Sequence, residues 1–309
     1  MFSRLKQYIH NDQVLSALSI KYTNRDYVGK MFLPEFGVNK ETGKYRIFER
    51  AGYFKGAPKV ADGAPVPEAT NAYSEGTYSC YERAIKDIVT DRAVQYADAP
   101  VQPVSDTVEF LTEKVLLAQE IDIWNAITGT SGLQQSGYYT ALTGTTAWVD
   151  GSDPDILGDM STAIKAISLA VGKRPNMIAF NTEVAEAVAQ DDKIIEILKH
   201  HSMDMVTGIG LPGSIRSMKI VIADALYNSA DEGLTASYAY VISDNAVCAY
   251  VEGGSPLNLG RTFVASQQRV DRWRDEDRKG TFVKVHKVYS PKLMVLGSGY
   301  MFTNCKNAS

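Results

Sequence analysis

Cysteine is scarce in this chain of 309 residues, and the three present, Cys80, Cys248 and Cys305, are an odd number at wide spacing. That is a poor disulfide framework, and without a C-x-x-C pair it points to no zinc site; a reducing compartment is the expectation. Long apolar runs are missing as well. No stretch reaches the roughly 20 apolar residues of a membrane-spanning helix. The run Val14–Ile20 near the N-terminus is short and follows His10-Asn11-Asp12-Gln13, so no signal peptide is expected. Neither sign of charge dominates: 32 Lys and Arg against 36 Asp and Glu leave a formal net charge of -4. Tight general binding of nucleic acid is therefore not expected, although a protein that merely encloses DNA is compatible with this balance.

Catalytic spellings are equally thin. Histidines number four, and His200 and His201 are adjacent, so a helix aims them in different directions and they cannot chelate as an i, i+4 pair. There is no G-x-S-x-G elbow and no H-E-x-x-H. "GVNKETGKY" from Gly37 has one residue too many between its glycines for a P-loop, and Tyr45 stands where Ser or Thr would hold magnesium. "GIGLPG", Gly208 to Gly213, does satisfy G-x-G-x-x-G. A dinucleotide loop, however, needs a strand before it and a helix after it. Here "EVAEAVAQDDKIIEILKHH" before it reads as helix and "SIRSMKIVIADA" after it reads as a strand near Lys219–Ala223, with Pro212 inside the motif. The order is reversed, which makes a glycine-rich loop the better reading. No catalytic residue, cofactor site or metal ligand is assigned.

What is present is a packed chain, 45% hydrophobic and 22% charged. Residues 1 to about 40 read as an extended arm without sustained periodicity. A strand is expected around Lys44–Arg50 and another from about Thr77 to Ile85, and between them lie Gly52, Gly56, Pro58, Gly63, Pro65 and Pro67. So long a connection is rare inside a compact domain. If it is a two-stranded arm, it is marginal in water and needs a neighbour to lie on. "DTVEFLTEKVLLAQEIDIWNAI", Asp106–Ile127, is the strongest helix, about 33 Å long. Val108, Leu111, Val115, Ala118 and Asp122 form its stripe, flanked by Leu116, Ile123 and Ile127; Ser105 or Asp106 caps it and Gly129 follows it. Its Glu and Lys residues read as a solvated or intersubunit face.

Beyond a Gly/Ser/Thr-rich passage, Ser152-Asp153-Pro154 opens a helix with an apolar stripe from Ile156 to Val171, ended by Gly172. A strand Met177–Phe180, a helix after Asn181-Thr182, the strand Lys219–Ala223 and two strands around a Ser-Asp-Asn turn complete an α+β unit. The last segment reads as two long strands joined by a charge-dense bend, then a final strand. In the bend Arg269, Arg272, Arg274, Arg278 and Lys279 interleave with Asp271, Asp275, Glu276 and Asp277. Either it is a solvated hairpin whose exposed ion pairs contribute little, or it is a contact between subunits in which mixed charge sets register.

The order of these parts resembles the major capsid protein of tailed bacteriophages, the Hong Kong 97-type fold shared with bacterial encapsulin shells. "GTYSCYERAIKDIVTD" is similar to the strand leaving that family's extended loop, and "EFLTEKVLLAQEIDIWNAI" to its spine helix. "SDPDILGDMSTAIKAI" with "GKRPNMIAFN" is similar to the opening of its axial domain, and "KIVIADALYNSA" and "VHKVYSPKLMVLGSGYMFTN" to its later strands. The resemblance spans roughly residues 27–304 and lies in order and spacing.

It implies an N-terminal arm (1–40), an extended loop (41–77), a peripheral domain with a spine helix (78–128), an axial domain (129–259) and C-terminal strands returning to the peripheral domain (260–309). It implies a non-enzymatic structural subunit that assembles as pentamers and hexamers into an icosahedral shell around double-stranded DNA, in a virion built in the bacterial cytoplasm. Portal and decoration proteins are among the implied partners, with scaffolding either separate or absent, and with no membrane and no cofactor. Gly208, Gly210 and Gly213 would then lie in the axial domain, where backbone freedom lets one sequence pack in fivefold and sixfold rings. Contacts between subunits are expected at Lys55 and Lys59 in the loop, at Arg269, Arg272, Arg274, Asp275 and Glu276, and at those glycines. No specific match to the lysine–asparagine cross-link of certain members is found, although Asn304 lies near the C-terminus. The alternatives are an encapsulin-like nanocompartment shell and, from the enzyme class, a nucleotide-dependent oxidoreductase built on Gly208–Gly213.

Overall fold

A computed structural model of the protein describes residues 27–48, 56–66, 68, 73–98, 101–199, 210–230 and 233–306. Of the expected extended arm over 1–40, residues 1–26 lie outside the described residues, as do Lys55 and Gly208. Residues 27–40 are not an extended arm but hold a one-turn helix and a short strand, with Phe32 and Leu33 fully buried. Two sheets and one long helix organise the rest.

The larger sheet has six strands in the order β5 (Tyr139–Ala141), β14 (Gly299–Thr303), β11 (Ala246–Ala249), β6 (Met177–Phe180), β8 (Met218–Ile222) and β7 (Ser214–Ile215). Its inner strands bury side chains on both faces, and the period of two sorts them. Ile178, Phe180, Ala246, Cys248, Tyr300 and Phe302 point to one core, shared with the helices α4 (Ile156–Val171) and α5 (Thr182–Gln190). Ala179, Val221, Val247, Ala249 and Met301 point to the other. Asp155 caps α4 by accepting from the Gly158 amide, and Gly172 ends it in the left-handed region at φ 69°. Asn181 caps α5 through the Val184 amide.

The smaller sheet has the order β1 (Glu35–Gly37), β12 (Gly260–Asp275), β13 (Gly280–Leu293) and β4 (Tyr81–Thr90), with β1 parallel to β12 and the others antiparallel. β1 reaches only Thr262–Val264, and register shifts follow between Val264 and Arg269, so the distal half of β12 is an edge. A separate two-stranded ribbon, β2 (Thr42–Phe48) with β3 (Tyr73–Ser79), projects beside this sheet.

The long helix, α3, runs from Pro103 to Thr128, about 39 Å. It begins three to four residues earlier than the Ser105 or Asp106 cap predicts, with Gln102 at the cap, because proline fits the first helical position, where its missing N–H leaves no bond unmade. Leu111 and Val115 in its first half pack on Val283 and Val285 of β13. Ile123, Trp124 and Ile127 in its last turns pack under the six-stranded sheet with Phe32 and Leu33, the former from a one-turn helix, α1 (Gly29–Phe32). One helix thus serves as a strut between two sheets.

Three expectations need correction. The single strand Thr77–Ile85 is two strands in different sheets, broken at Cys80, which is buried with its thiol towards the Phe263 carbonyl. The strands around the Ser-Asp-Asn turn do not pair with each other: β10 (Tyr238–Tyr240) folds back on β9 (Leu226–Asn228), while β11 enters the six-stranded sheet. Finally, β14 does not join β12 and β13. Its alternating Tyr300, Met301 and Phe302 fill both cores of the six-stranded sheet, where it pairs with β11 and β5. So within 260–309 only the first two strands lie in the sheet against the first half of α3.

Candidate assembly surfaces

For a chain expected to build a shell, the working parts are its surfaces and whatever holds them in place. The foot of α3 is one anchor. Glu120, fully buried, accepts hydrogen bonds at Oε1 from the Val28 and Gly29 amides (3.0 and 2.8 Å) and from Trp124 Nε1 (2.7 Å). Burial raises the pKa of this carboxyl, and the three donors oppose the rise. Beside it Lys287, only 3% exposed, donates to Glu35 Oε1 at 2.7 Å and to Gln119 Oε1 at 3.0 Å, and Gln119 Nε2 closes the triangle on Glu35 at 3.0 Å. Burial pushes Glu35 up, but the bonds from Lys287 and Gln119 outweigh it and hold the carboxyl at about 2. Arg83 of β4 forks onto Asp122 (3.0 and 2.7 Å), which also accepts from the Tyr289 hydroxyl at 2.7 Å. Glu120, Gln119 and Asp122 are therefore intrachain fasteners, which corrects for Glu120 the expectation that the Glu and Lys residues of the helix form a solvated or intersubunit face; Glu109 and Lys114 are exposed.

The projecting ribbon meets the body at one aromatic clasp. In its register Gly43 lies opposite Tyr78 and Gly76 opposite Tyr45, all on one face. Each ring lies over the opposing glycine: a Cβ on Gly43 would come within 2.5 Å of the Tyr78 hydroxyl oxygen, and one on Gly76 within 2.4 Å of the Tyr45 ring. The space left by the two hydrogens lets both rings reach buried Phe263, with Tyr78 stacked at 4.4 Å between centroids and Tyr45 at 5.3 Å. The Tyr45 hydroxyl also donates to the Leu293 carbonyl at 3.3 Å. On the other face Lys44 pairs with Glu75 at 2.6 Å and Arg46 lies over the Tyr73 ring at 4.6 Å, both in solvent. The described loop residues beyond the ribbon, 56–66 and 68, are exposed, Lys59 among them.

The charge-dense bend is the tip of β12 and β13. Arg274 is bound within the chain, forking onto Asp91 (3.0 and 2.9 Å) and meeting Glu276 at 2.5 Å. Asp275 accepts from the Arg278 amide at 3.2 Å. Arg269 and Arg272 are exposed and have no carboxylate partner among the described residues. Their position on an unpaired edge accounts for charge there, because it discourages another strand from adding to the sheet. On the face opposite Arg272, Trp273 stacks on Phe282 at 5.3 Å, with the Lys86 ammonium 5.0 Å from the Phe282 ring.

Gly210 to Gly213, the described part of the glycine motif, lie between α6 (Asp192–Lys199) and the strands β7 and β8, so a helix precedes the motif and a strand follows it, as the sequence reads. Gly210 has φ 82°, Leu211 is buried in the core beside α4, and Gly213 is exposed. Of the residues expected at contacts, the structure joins Arg274 to Glu276. It leaves Lys59, Arg269, Arg272, Gly210 and Gly213 on three separate surfaces. The fasteners Glu120, Lys287 and Glu35 and the Tyr45–Phe263–Tyr78 clasp were not singled out in the sequence. For the clasp a signal existed: G-x-Y in "GKY" and again in "GTY", placed so that each glycine faces the other strand's tyrosine.

No family model matches the chain. Its sequence is 24% identical over 314 residues to the major capsid protein of Burkholderia phage BcepMu, covering 94% of this chain and 95% of that protein. Among solved structures, a phage-related protein from Bordetella bronchiseptica RB50 matches with a TM-score of 0.68 at 20% identity, over 95% of this chain and 97% of that one. The capsid of cyanophage P-SCSP1u matches at 0.62 and 10% identity, over 88% and 86%. The holo encapsulin complex of Synechococcus elongatus PCC 7942 matches at 0.59 and 11%, over 97% and 99%. The chain is thus related over nearly its whole length to a phage major capsid protein, and its fold is the Hong Kong 97-type capsid fold.

Proposed function

We propose that this chain is the major capsid subunit of a tailed phage, assembling as pentamers and hexamers into an icosahedral shell around double-stranded DNA. The observation that carries the reading is the end-to-end relation to a phage major capsid protein, matched by a fold of the same type over the same length. The ribbon supports it: two strands that, among the described residues, are tied to the body at one aromatic clasp need a surface beyond their own chain. In this reading the loop of 41–77, with Lys55 and Lys59, reaches over a neighbour. The region 129–259 meets its copies around the capsomer axis, with Gly208, Gly210 and Gly213 nearby. Arg269 and Arg272 lie at contacts between capsomers. Assembly takes place in the bacterial cytoplasm with scaffolding, portal and decoration proteins as partners, and the subunit itself does no chemistry. The encapsulin alternative rests on a likeness of fold at 11% identity, whereas the phage reading has a sequence relative as well.

The test is size, then content. Light scattering and negative-stain microscopy of the purified chain, alone and with scaffold and portal co-expressed, should show rings or closed particles of many copies. A chain that stays monomeric or dimeric in both settings refutes the reading. Closed particles that hold a docked protein and never take up DNA select the encapsulin alternative.

A further inference from the structure

Closing a ring of identical copies takes two different patches on each, because a head-to-tail contact never uses the same surface twice. The six-stranded layer carries such a pair at its two ends. Only residues 172–176 separate α4 from β6, so α4 runs antiparallel to that strand and its last turns lie at the strand's amino end. There its exposed ridge presents Lys165 and, one turn on, Leu169, which is 71% exposed; Lys173 and Arg174 follow in solvent. None of these cations has a carboxylate partner among the described residues. Their charge complements the carbonyl end of the helix, but that does not account for a leucine left in water.

At the carboxyl end of β6, about 13 Å away along the strand, a groove of about 380 Å³ opens between the start of α5 and the β9–β10 ribbon. Leu226, Tyr238 and Tyr240 share one face of that ribbon, since Leu226 pairs with Tyr240 and Asn228 with Tyr238. Tyr238 is 73% exposed. Among the lining side chains the one cation, Lys306, is held by Glu183 at 2.7 Å. Asp244 lines the groove within electrostatic reach of Lys306, and Glu186 stands on the next turn of α5 from Glu183; neither forms an ion pair of its own among the described residues. Burial first, then the charges of Asp224, Glu183 and Glu186, push the Tyr240 hydroxyl up, against a smaller opposing effect of Lys306.

We propose that the Lys165–Arg174 ridge of one copy seats in the acidic, apolar groove of the next, Leu169 against Leu226 and Tyr238, with Lys173 and Arg174 facing Glu186 and Asp244, and that this contact closes the capsomer ring. The proposal rests on the shell-subunit reading and names the surfaces it uses. Charge complementarity selects a second copy of the chain as the occupant, because the two patches match each other in sign and in apolar content and lie too far apart to meet within one subunit.

The test is a pair of charge reversals and their combination. Lys173→Glu with Arg174→Glu, and separately Glu186→Lys with Asp244→Lys, should each leave the melting temperature near that of the wild type and abolish rings and shells; the quadruple variant should restore them. Reversals that assemble like the wild type, or a folded quadruple variant that does not assemble, overturn the contact while the shell reading stands. A wild-type chain that never assembles overturns both. An independent measurement is oxidation of the variant Leu169→Cys with Tyr238→Cys in assembled particles, where the three native cysteines are buried. A ladder of covalent oligomers is expected, and particles yielding only monomer would refute the contact.

Discussion

The six-stranded layer and the four-stranded sheet with its ribbon are built on opposite terms. The first buries both faces of every central strand and closes two cores around itself. The second has one covered face, a core of four buried residues under the first half of α3, an edge strand lined with charge and a ribbon held by three aromatic rings. The difference teaches where stability and function separate. A variant in the first region should unfold the subunit, and one in the second should leave a folded subunit that fails at its neighbours.

The strongest way to break that comparison is at the strut that joins the two. Trp124 is fully buried, lies 5.3 Å from Phe32 and donates to Glu120. Trp124→Ala removes the ring and strips the buried carboxylate of one donor, so a loss of about 4 kcal/mol is expected in urea unfolding. A loss below about 1 kcal/mol would mean that the strut is not needed by the layer above it.

Next comes the triangle of Glu35, Lys287 and Gln119. Glu35→Ala leaves a buried ammonium with only an amide oxygen, and about 3 kcal/mol of destabilisation is expected. The same group sets an acid limit. A carboxyl held at about 2 in the folded chain, against an ordinary value of 4.5, stabilises the fold above about pH 4.5. That stabilisation fades as pH falls from about 4.5 towards about 2. Glu120 titrates in the opposite sense, since burial raises it and its protonation removes a buried charge. Glu35→Gln should therefore flatten the acid limb of the stability curve, and an unchanged limb would remove Glu35 from the account.

How much of this was legible follows from which forces act locally. The apolar stripe of α4, the strand Met177–Phe180 and the helix following Asn181 were readable because periodicity operates within a few residues of itself; the start of α4 was not, since Asp155 caps it and not the Ser152-Asp153-Pro154 read from the sequence. The strand β14 was placed in the wrong company because nothing in "GYMFT" says which sheet receives it; its two-sided apolar alternation is satisfied only by the doubly covered layer. Glu120 looked like an ordinary helix-surface acid, since two of its three donors are amides 91 and 92 residues away. The charge-dense bend was located correctly, yet its sequence could not tell the arginine already bound from the two that are free.

A smaller effect is expected at the clasp. Gly76→Ala forces the Tyr45 ring away from Gly76 and so from Phe263, at about 1–2 kcal/mol confined to the ribbon. Hydrogen exchange should quicken in β2 and β3 while the six-stranded layer keeps its protection. Closed shells should be lost if the ribbon must leave the body at one angle. Normal shells from this variant would show that the neighbour, and not the clasp, sets that angle.

The smallest effect on the subunit belongs to the bend, and there the comparison is sharpest. Arg274 is bound within its own chain by Asp91 and Glu276, whereas Arg272, two residues away on the same face of β12, has no such partner among the described residues. Both are exposed, so neither Arg272→Glu nor Arg274→Glu should shift the melting temperature far. Their effects on assembly should differ: Arg272→Glu acts directly on whatever lies across the edge, while Arg274→Glu acts through a loosened tip. If the bend is a contact between copies, Arg272→Glu should abolish shells at moderate ionic strength and Arg274→Glu should only slow their formation. Equal and normal assembly of both variants would assign these charges to guarding an edge strand from unwanted pairing, a role that needs charge of either sign and no partner at all.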